Sequence, residues 1–185
     1  MKLVLLALLC ALGPLAASAK EKPTTTYTIP LPPKPDFSAL DWLVGEWTGK
    51  TTGRSPEAEV RLSVAFDLER RFLILREEVS LAATKTAPAS MESWLGILSV
   101  GRSDAGFVLR TFSSTGFMAR YRVTAQEAEV RFSPEGGDEP PPGWLFRRII
   151  RRPAPGELSE TVQAAPPDRP FFDYYTATLT RKTSE

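Results

Sequence analysis

Residues 59–81 read EVRLSVAFDLERRFLILREEVSL, and the alternation in them decides the fold. Val60, Leu62, Val64 and Phe66 recur every second residue, while Arg61, Ser63 and Ala65 fill the gaps. Side chains of a strand point alternately to opposite faces, so this period of two describes a strand with one apolar and one wet face. The charged turn Glu69-Arg70-Arg71 leads into FLILREEVSL, a second strand. Working outward, the same signature recurs from Trp47, and in SMESWLGILSV, GFVLRTF, GFMARYRV, AEVRF, GWLFRRII, ELSETVQ and FDYYTATLTRK. Turn-like separators divide them: Ala87-Pro88, 101–104, Ser113-Ser114, 134–143, 153–156 and 166–168. About ten strands with short connections predict an all-β, antiparallel up-and-down sheet. Closing that sheet into a single barrel removes the edges that would otherwise invite pairing with other chains.

Upstream of the strands the character changes twice. Lys2 precedes a leucine-rich run, then Gly13-Pro14 and the small residues Ala17-Ser18-Ala19. That is the order of a secretory signal peptide, 1–19, with cleavage expected after Ala19. The run is too short and too interrupted for a retained span of about 20 residues. Leu9 before Cys10 is the wrong residue for lipidation. Residues 20–36, KEKPTTTYTIPLPPKPD, lack any helical or strand period and read as a Pro-rich extended arm. In FSALDWLVG, Phe37, Leu40, Leu43 and Val44 share a helical spacing, which predicts a short N-terminal helix stopping at Gly45. The barrel domain is then 37–183.

Composition narrows the chemistry. The 185 residues contain no histidine and one cysteine, Cys10, which the signal would carry away. Ser-His-Asp and Cys-His catalysis and the usual zinc sites are therefore excluded. Removing Lys2 leaves 22 basic residues against 22 acidic, and that neutrality argues against nucleic acid as a partner. Ser103 in GRSDAG misses the nucleophile-elbow spacing and reads as a hairpin turn. Glu135, Asp138 and Glu139 offer oxygens for a cation, but without a calcium-loop pattern they read as a solvated connection. No catalytic residue, cofactor or metal is expected, and a carboxylate- or tyrosine-based enzyme is the weakest of the readings.

Binding is the better expectation. Trp144, Phe146, Arg148 and Ile150 share one face of their strand, and Phe117, Ala119, Tyr121 and Val123 share one face of theirs. Directed inward, these faces place Arg148 as a cation in an apolar lumen, with Tyr121 and Tyr174 as hydroxyl partners. Two uses of an inward Arg148 stand open: a bidentate grip on the carboxylate of an amphiphile, or an internal pair with Glu77 or Glu160; a one-residue shift of register would instead turn it to solvent. Arg120, Arg122, Arg131, Arg147 and Arg151 fall on the outer face, either as a stripe for anionic lipid heads or as an ordinary solvated surface.

Two motifs add a resemblance. LDWLVGEWTGK, 40–50, and FDYYTATLTRK, 172–182, resemble the opening corner and closing strand of lipocalin-like and fatty-acid-binding-protein-like barrels, among them bacterial secreted proteins of unknown function. The haem-binding nitrobindin group is similar more distantly. The resemblance implies a calycin-type barrel in which Trp47 plugs the closed end and Gly45 allows the turn into the strand. The histidine that holds haem in nitrobindin-like proteins has no counterpart here, so a haem would need Tyr174 or Tyr175 instead. The expected protein is secreted or periplasmic and non-enzymatic, and carries a small apolar or amphiphilic ligand touching Arg148, Tyr121, Tyr174, Phe146, Trp144 and Phe117. The alternative is a filled barrel that meets a protein or envelope partner through its exterior. An internal cavity of roughly 300 Å³ or more separates the two.

Overall fold

The structure is a computed structural model that describes residues 33–53, 57–101, 106–137 and 142–182. The expected signal peptide, most of the expected Pro-rich arm, Ser103, Asp138 and Glu139 lie outside the described residues. Ten antiparallel strands follow in chain order: β1 (Gly45–Thr52), β2 (Ala58–Asp67), β3 (Phe72–Leu81), β4 (Ser90–Val100), β5 (Phe107–Ser113), β6 (Met118–Ala125), β7 (Glu129–Gly137), β8 (Leu145–Arg151), β9 (Glu157–Ala165) and β10 (Phe172–Arg181). Each pairs with its sequence neighbours, and β1 also pairs with β10, so the sheet closes. The alternation in 59–66 becomes a buried row of Val60, Leu62 and Val64, which explains why β2 and β3 hold register over ten residue pairs.

Three details depart from the sequence reading, each for a local reason. The segment before β1 is a six-residue 3-10 helix, Ser38–Leu43. Phe37, Leu40 and Leu43 are spaced by three, and residues three apart eclipse in a 3-10 turn. All three are therefore buried together. Strand β7 continues beyond Phe132, through Pro134, to Gly137. A bulge against β6 between Arg120 and Tyr121 accommodates the proline. On its other side β7 pairs with β8 only over Glu129–Phe132, so that seam is short. Finally, β1 begins at Gly45, which pairs with Val64.

The two ends of the barrel differ. At one end Leu40, Leu43, Trp47, Leu62, Leu73, Leu98, Val130, Ile150, Leu158 and Leu179 pack into a dry core. Phe37 stacks on Phe107 at 5.4 Å and tilts against Phe66 at 5.8 Å, which covers the opening. Trp47 is 1% exposed, and its indole Nε1 donates to the Leu43 carbonyl at 2.9 Å. The Arg181 guanidinium lies 4.3 Å over the Trp47 ring and donates to the carbonyls of Val44 (2.8 Å) and Trp42 (3.3 Å). Gly45 has φ +142°, and a Cβ there would collide with Arg181. The glycine thus serves both the backbone turn and the arginine that fastens the last strand to the first corner.

Candidate functional site

The other half of the barrel is hollow. A cavity of about 390 Å³ lies between the halves of β3 to β6 and β7 to β10 that point away from the 3-10 helix. Its walls are largely aromatic and aliphatic, with a buried polar group around Arg148 and Glu77 and further polar side chains from Glu92, Ser93, Thr111, Ser113, Ser114, Thr115 and Arg147.

The polar group begins with Arg148. Its position on β8, two residues from buried Ile150 on the same face, turns it inward. Its side chain is 18% exposed and donates through Nη1 to Glu77 Oε2 at 2.5 Å and to Glu160 Oε1. Glu77 comes from β3 and Glu160 from β9, and both are buried, at 1% and 0% exposure. Of the two uses open for Arg148, the structure therefore adopts the internal pair, with both glutamates at once. Two carboxylates on one cation leave an excess negative charge that a low-dielectric interior resists. Burial, opposed by Arg148 and reinforced by the neighbouring Glu77 carboxylate, pushes Glu160 up to about 8. Burial alone would lower Arg148, but Glu160 and Glu77 outweigh it and hold the guanidinium well above its ordinary value. Glu160 thus holds its proton more tightly than an ordinary carboxyl, which lessens the excess negative charge around Arg148.

Trp94 completes the group. It is the direct cross-strand partner of Glu77 in the β3–β4 register, and the Arg148 guanidinium sits 4.6 Å over its ring. Gly96 makes this possible, because a Cβ there would press on the Trp94 ring and on Leu109. Glu77 Oε1, Glu160 Oε2 and Trp94 Nε1 are buried and take no part in the bonds to Arg148, and a hydrogen bond between the Glu77 and Glu160 carboxyls helps to raise Glu160. Glu77 and Trp94 both line the cavity.

Of the six residues expected to meet a ligand, Arg148, Tyr121, Tyr174, Phe146 and Phe117 line the cavity, and Trp144 does not. Trp144 stands at the rim, stacked on Phe146 at 6.4 Å and edge-on to Phe172 at 6.4 Å. From there an aromatic path runs inward through Phe146 to Tyr174 (6.4 Å) and on to Tyr175 (5.8 Å). Sequence reasoning did not single out Trp94, Phe132 or Val162 as lining residues. Strict alternation would send Tyr174 and Tyr175 to opposite faces. A register shift against β9 between Asp173 and Tyr175 lets both reach the cavity.

The outer arginines are drawn into local pairs. Arg120 and Arg122 reach Glu135 at 3.1 and 2.6 Å, and Arg131 and Arg151 reach Glu129 at 3.1 and 2.8 Å. Arg131, with Arg151 beside it, holds the Glu129 carboxyl below its ordinary value. Arg147 donates to Gln163 at 2.8 Å and lies over Phe171 at the mouth. Among the described residues no cluster of three or more acidic side chains is arranged to hold a metal ion.

No family model matches the chain, and no curated protein matches it. Among solved structures, it is similar to the crystal structure of Rv2717c from M. tuberculosis, with a TM-score of 0.58 and 21% identity. The likeness covers 79% of this chain and 96% of that one. What the two share is the fold, a closed antiparallel barrel.

Proposed function

We propose that this chain is a secreted, non-enzymatic barrel of lipocalin-like type that binds or carries a small apolar or amphiphilic ligand in its lumen. The observation that carries the proposal is the contrast within one barrel: a dry core at one end and a cavity of about 390 Å³ at the other. Ligand sites are typically concave, largely apolar and furnished with a few convergent polar groups, and Arg148, Glu77 and Trp94 supply such groups here. Binding without catalysis is supported by the chemistry available. The chain has no histidine, and both buried carboxylates are engaged with Arg148. The lipocalin-like kinship is supported by the two end motifs, which meet where Arg181 covers Trp47. Secretion is supported by the order of residues in 1–19.

Native mass spectrometry of the protein purified from its own host tests the carrier reading. A bound species of reproducible mass that is lost on denaturation is the expected result. A clean apo mass, with no uptake of added amphiphiles, removes the reading and turns the search to partners of the exterior.

A further inference from the structure

We propose that the ligand is an amphiphile ending in a carboxylate, and that Arg147 grips this head group at the mouth while the apolar body lies in the lumen. This rests on the carrier reading and narrows it. Arg148 is the obvious grip, but it is already opposed by Glu77 and Glu160, so an anion there would bring a third carboxyl group to one cation. Arg147, the next residue toward the mouth, is in the opposite state. Arg120, Arg122, Arg131, Arg148 and Arg151 each hold a carboxylate. Arg147 forms no ion pair among the described residues, yet it lines the cavity. Alternation alone would keep it on the outer face of β8. It borders the cavity where the wall is split: β7 and β8 pair only as far as Phe132 and Arg148. Beyond that point β7 follows β6 through Pro134, which has no N–H to offer β8.

The side chain is also held in position. Its Nε donates to Gln163 Oε1 at 2.8 Å, and Gln163 Nε2 donates to Asp173 Oδ1 at 2.6 Å, which fixes the orientation of the amide. The Phe171 ring covers one face of the guanidinium at 4.2 Å. These contacts use Nε and one face of the plane, and among the described residues the two Nη groups make no hydrogen bond. Two N–H groups side by side on a planar cation match the two oxygens of a carboxylate. Arg147 is half-buried, so a ligand arriving from solvent can reach it. From there Phe146 and Tyr174 continue the wall inward for the apolar body.

Octanoate, octan-1-ol and octylammonium share one tail and separate the possibilities when titrated calorimetrically into the ligand-stripped protein at pH 7. Octanoate should bind most tightly, by about fivefold over the alcohol, the factor expected of a well-aligned ion pair that is partly in water. Added salt should erode this preference. Arg147→Gln, which keeps a polar side chain and removes the charge, should abolish the preference and leave the alcohol's affinity unchanged. The alcohol at parity with octanoate, or a preference that survives Arg147→Gln, overturns the inference while the carrier reading stands. Octylammonium binding tightest overturns it in favour of an organic cation. Should none of the three bind while the host-purified protein carries a ligand, a carboxylate ligand that the Arg147→Gln protein fails to retain supports the inference. Any other ligand, or one that the variant retains, overturns it. An apo protein that takes up none of the three loses both readings together.

Discussion

Among the arginines that lie over tryptophans in the described residues, Arg181 and Arg148 differ in what their pairs leave undone. At the closed end Arg181 covers Trp47 at 4.3 Å, its guanidinium spent on two backbone carbonyls and the indole N–H on a third. In the lumen Arg148 covers Trp94 at 4.6 Å, its charge divided between two carboxylates and the indole N–H given to nothing. Buried polar groups in folded proteins are nearly always paired. The completed pair therefore reads as part of the closed core, while the incomplete one stands in the wall of the cavity.

The largest effects should break each pair separately. Trp47→Ala removes a fully buried indole from the closed end and should cost about 3–5 kcal/mol, at every pH, in denaturant titration. Arg148→Met should cost a similar ~3–5 kcal/mol at neutral pH, because it strands Glu77 and Glu160 without a cation. Its cost should shrink in acid, where both carboxyls can take protons. Equal pH profiles for the two variants would mean that Arg148 is no more than another packing residue.

Next in size is a pH effect confined to the lumen pair. Glu160 is raised from an ordinary 4.5 to about 8 by burial, against the pull of Arg148. Between those values the unfolded chain has released a proton that the folded chain retains, so stability must fall as pH rises. The contribution is full below about pH 4.5 and gone once pH passes about 8, with a slope of up to roughly 1.4 kcal/mol per unit between them. Glu160→Gln should flatten that part of the profile and leave the closed end untouched. An unchanged slope in this variant would place the titrating group elsewhere.

How much of this was legible in the sequence follows the range of the interactions. The strands were legible because alternation is local: 59–66 announces its buried face within eight residues. Which residues share a face with Arg148 and Tyr121 was legible for the same reason, but not which face turns inward, because a one-residue slip of register exchanges the two. Glu77 and Glu160 were open as partners of Arg148, but choosing both requires strands 71 and 12 residues distant to converge on one point. Trp94 escaped notice because its face in β4 runs Glu92, Trp94, Gly96, Leu98, a mixture with no apolar row to mark it as inward. Tyr175 and the extension of β7 past Pro134 were hidden by irregular pairing, at a register shift and a bulge. Such interruptions break the very period that the reading depends on.

A finer test bears on Gly96, which ties the lumen pair to the packing around it. A methyl group at this position would meet the Trp94 ring and Leu109, one contact belonging to the site and the other to the barrel wall. Overpacking of this kind costs about 1–3 kcal/mol, so Gly96→Ala should lower stability less than Trp47→Ala does. Its second consequence is the sharper one. Displacing the Trp94 ring moves it out from under the Arg148 guanidinium, and uptake of an amphiphile into the cavity should weaken even in the protein that remains folded. An exterior change such as Arg120→Ala, which breaks only an exposed ion pair with Glu135, should cost under about 1 kcal/mol and leave that uptake intact. If the two substitutions proved alike in ligand uptake, the Arg148–Trp94 pair would be a feature of packing, no different in kind from Arg181 over Trp47.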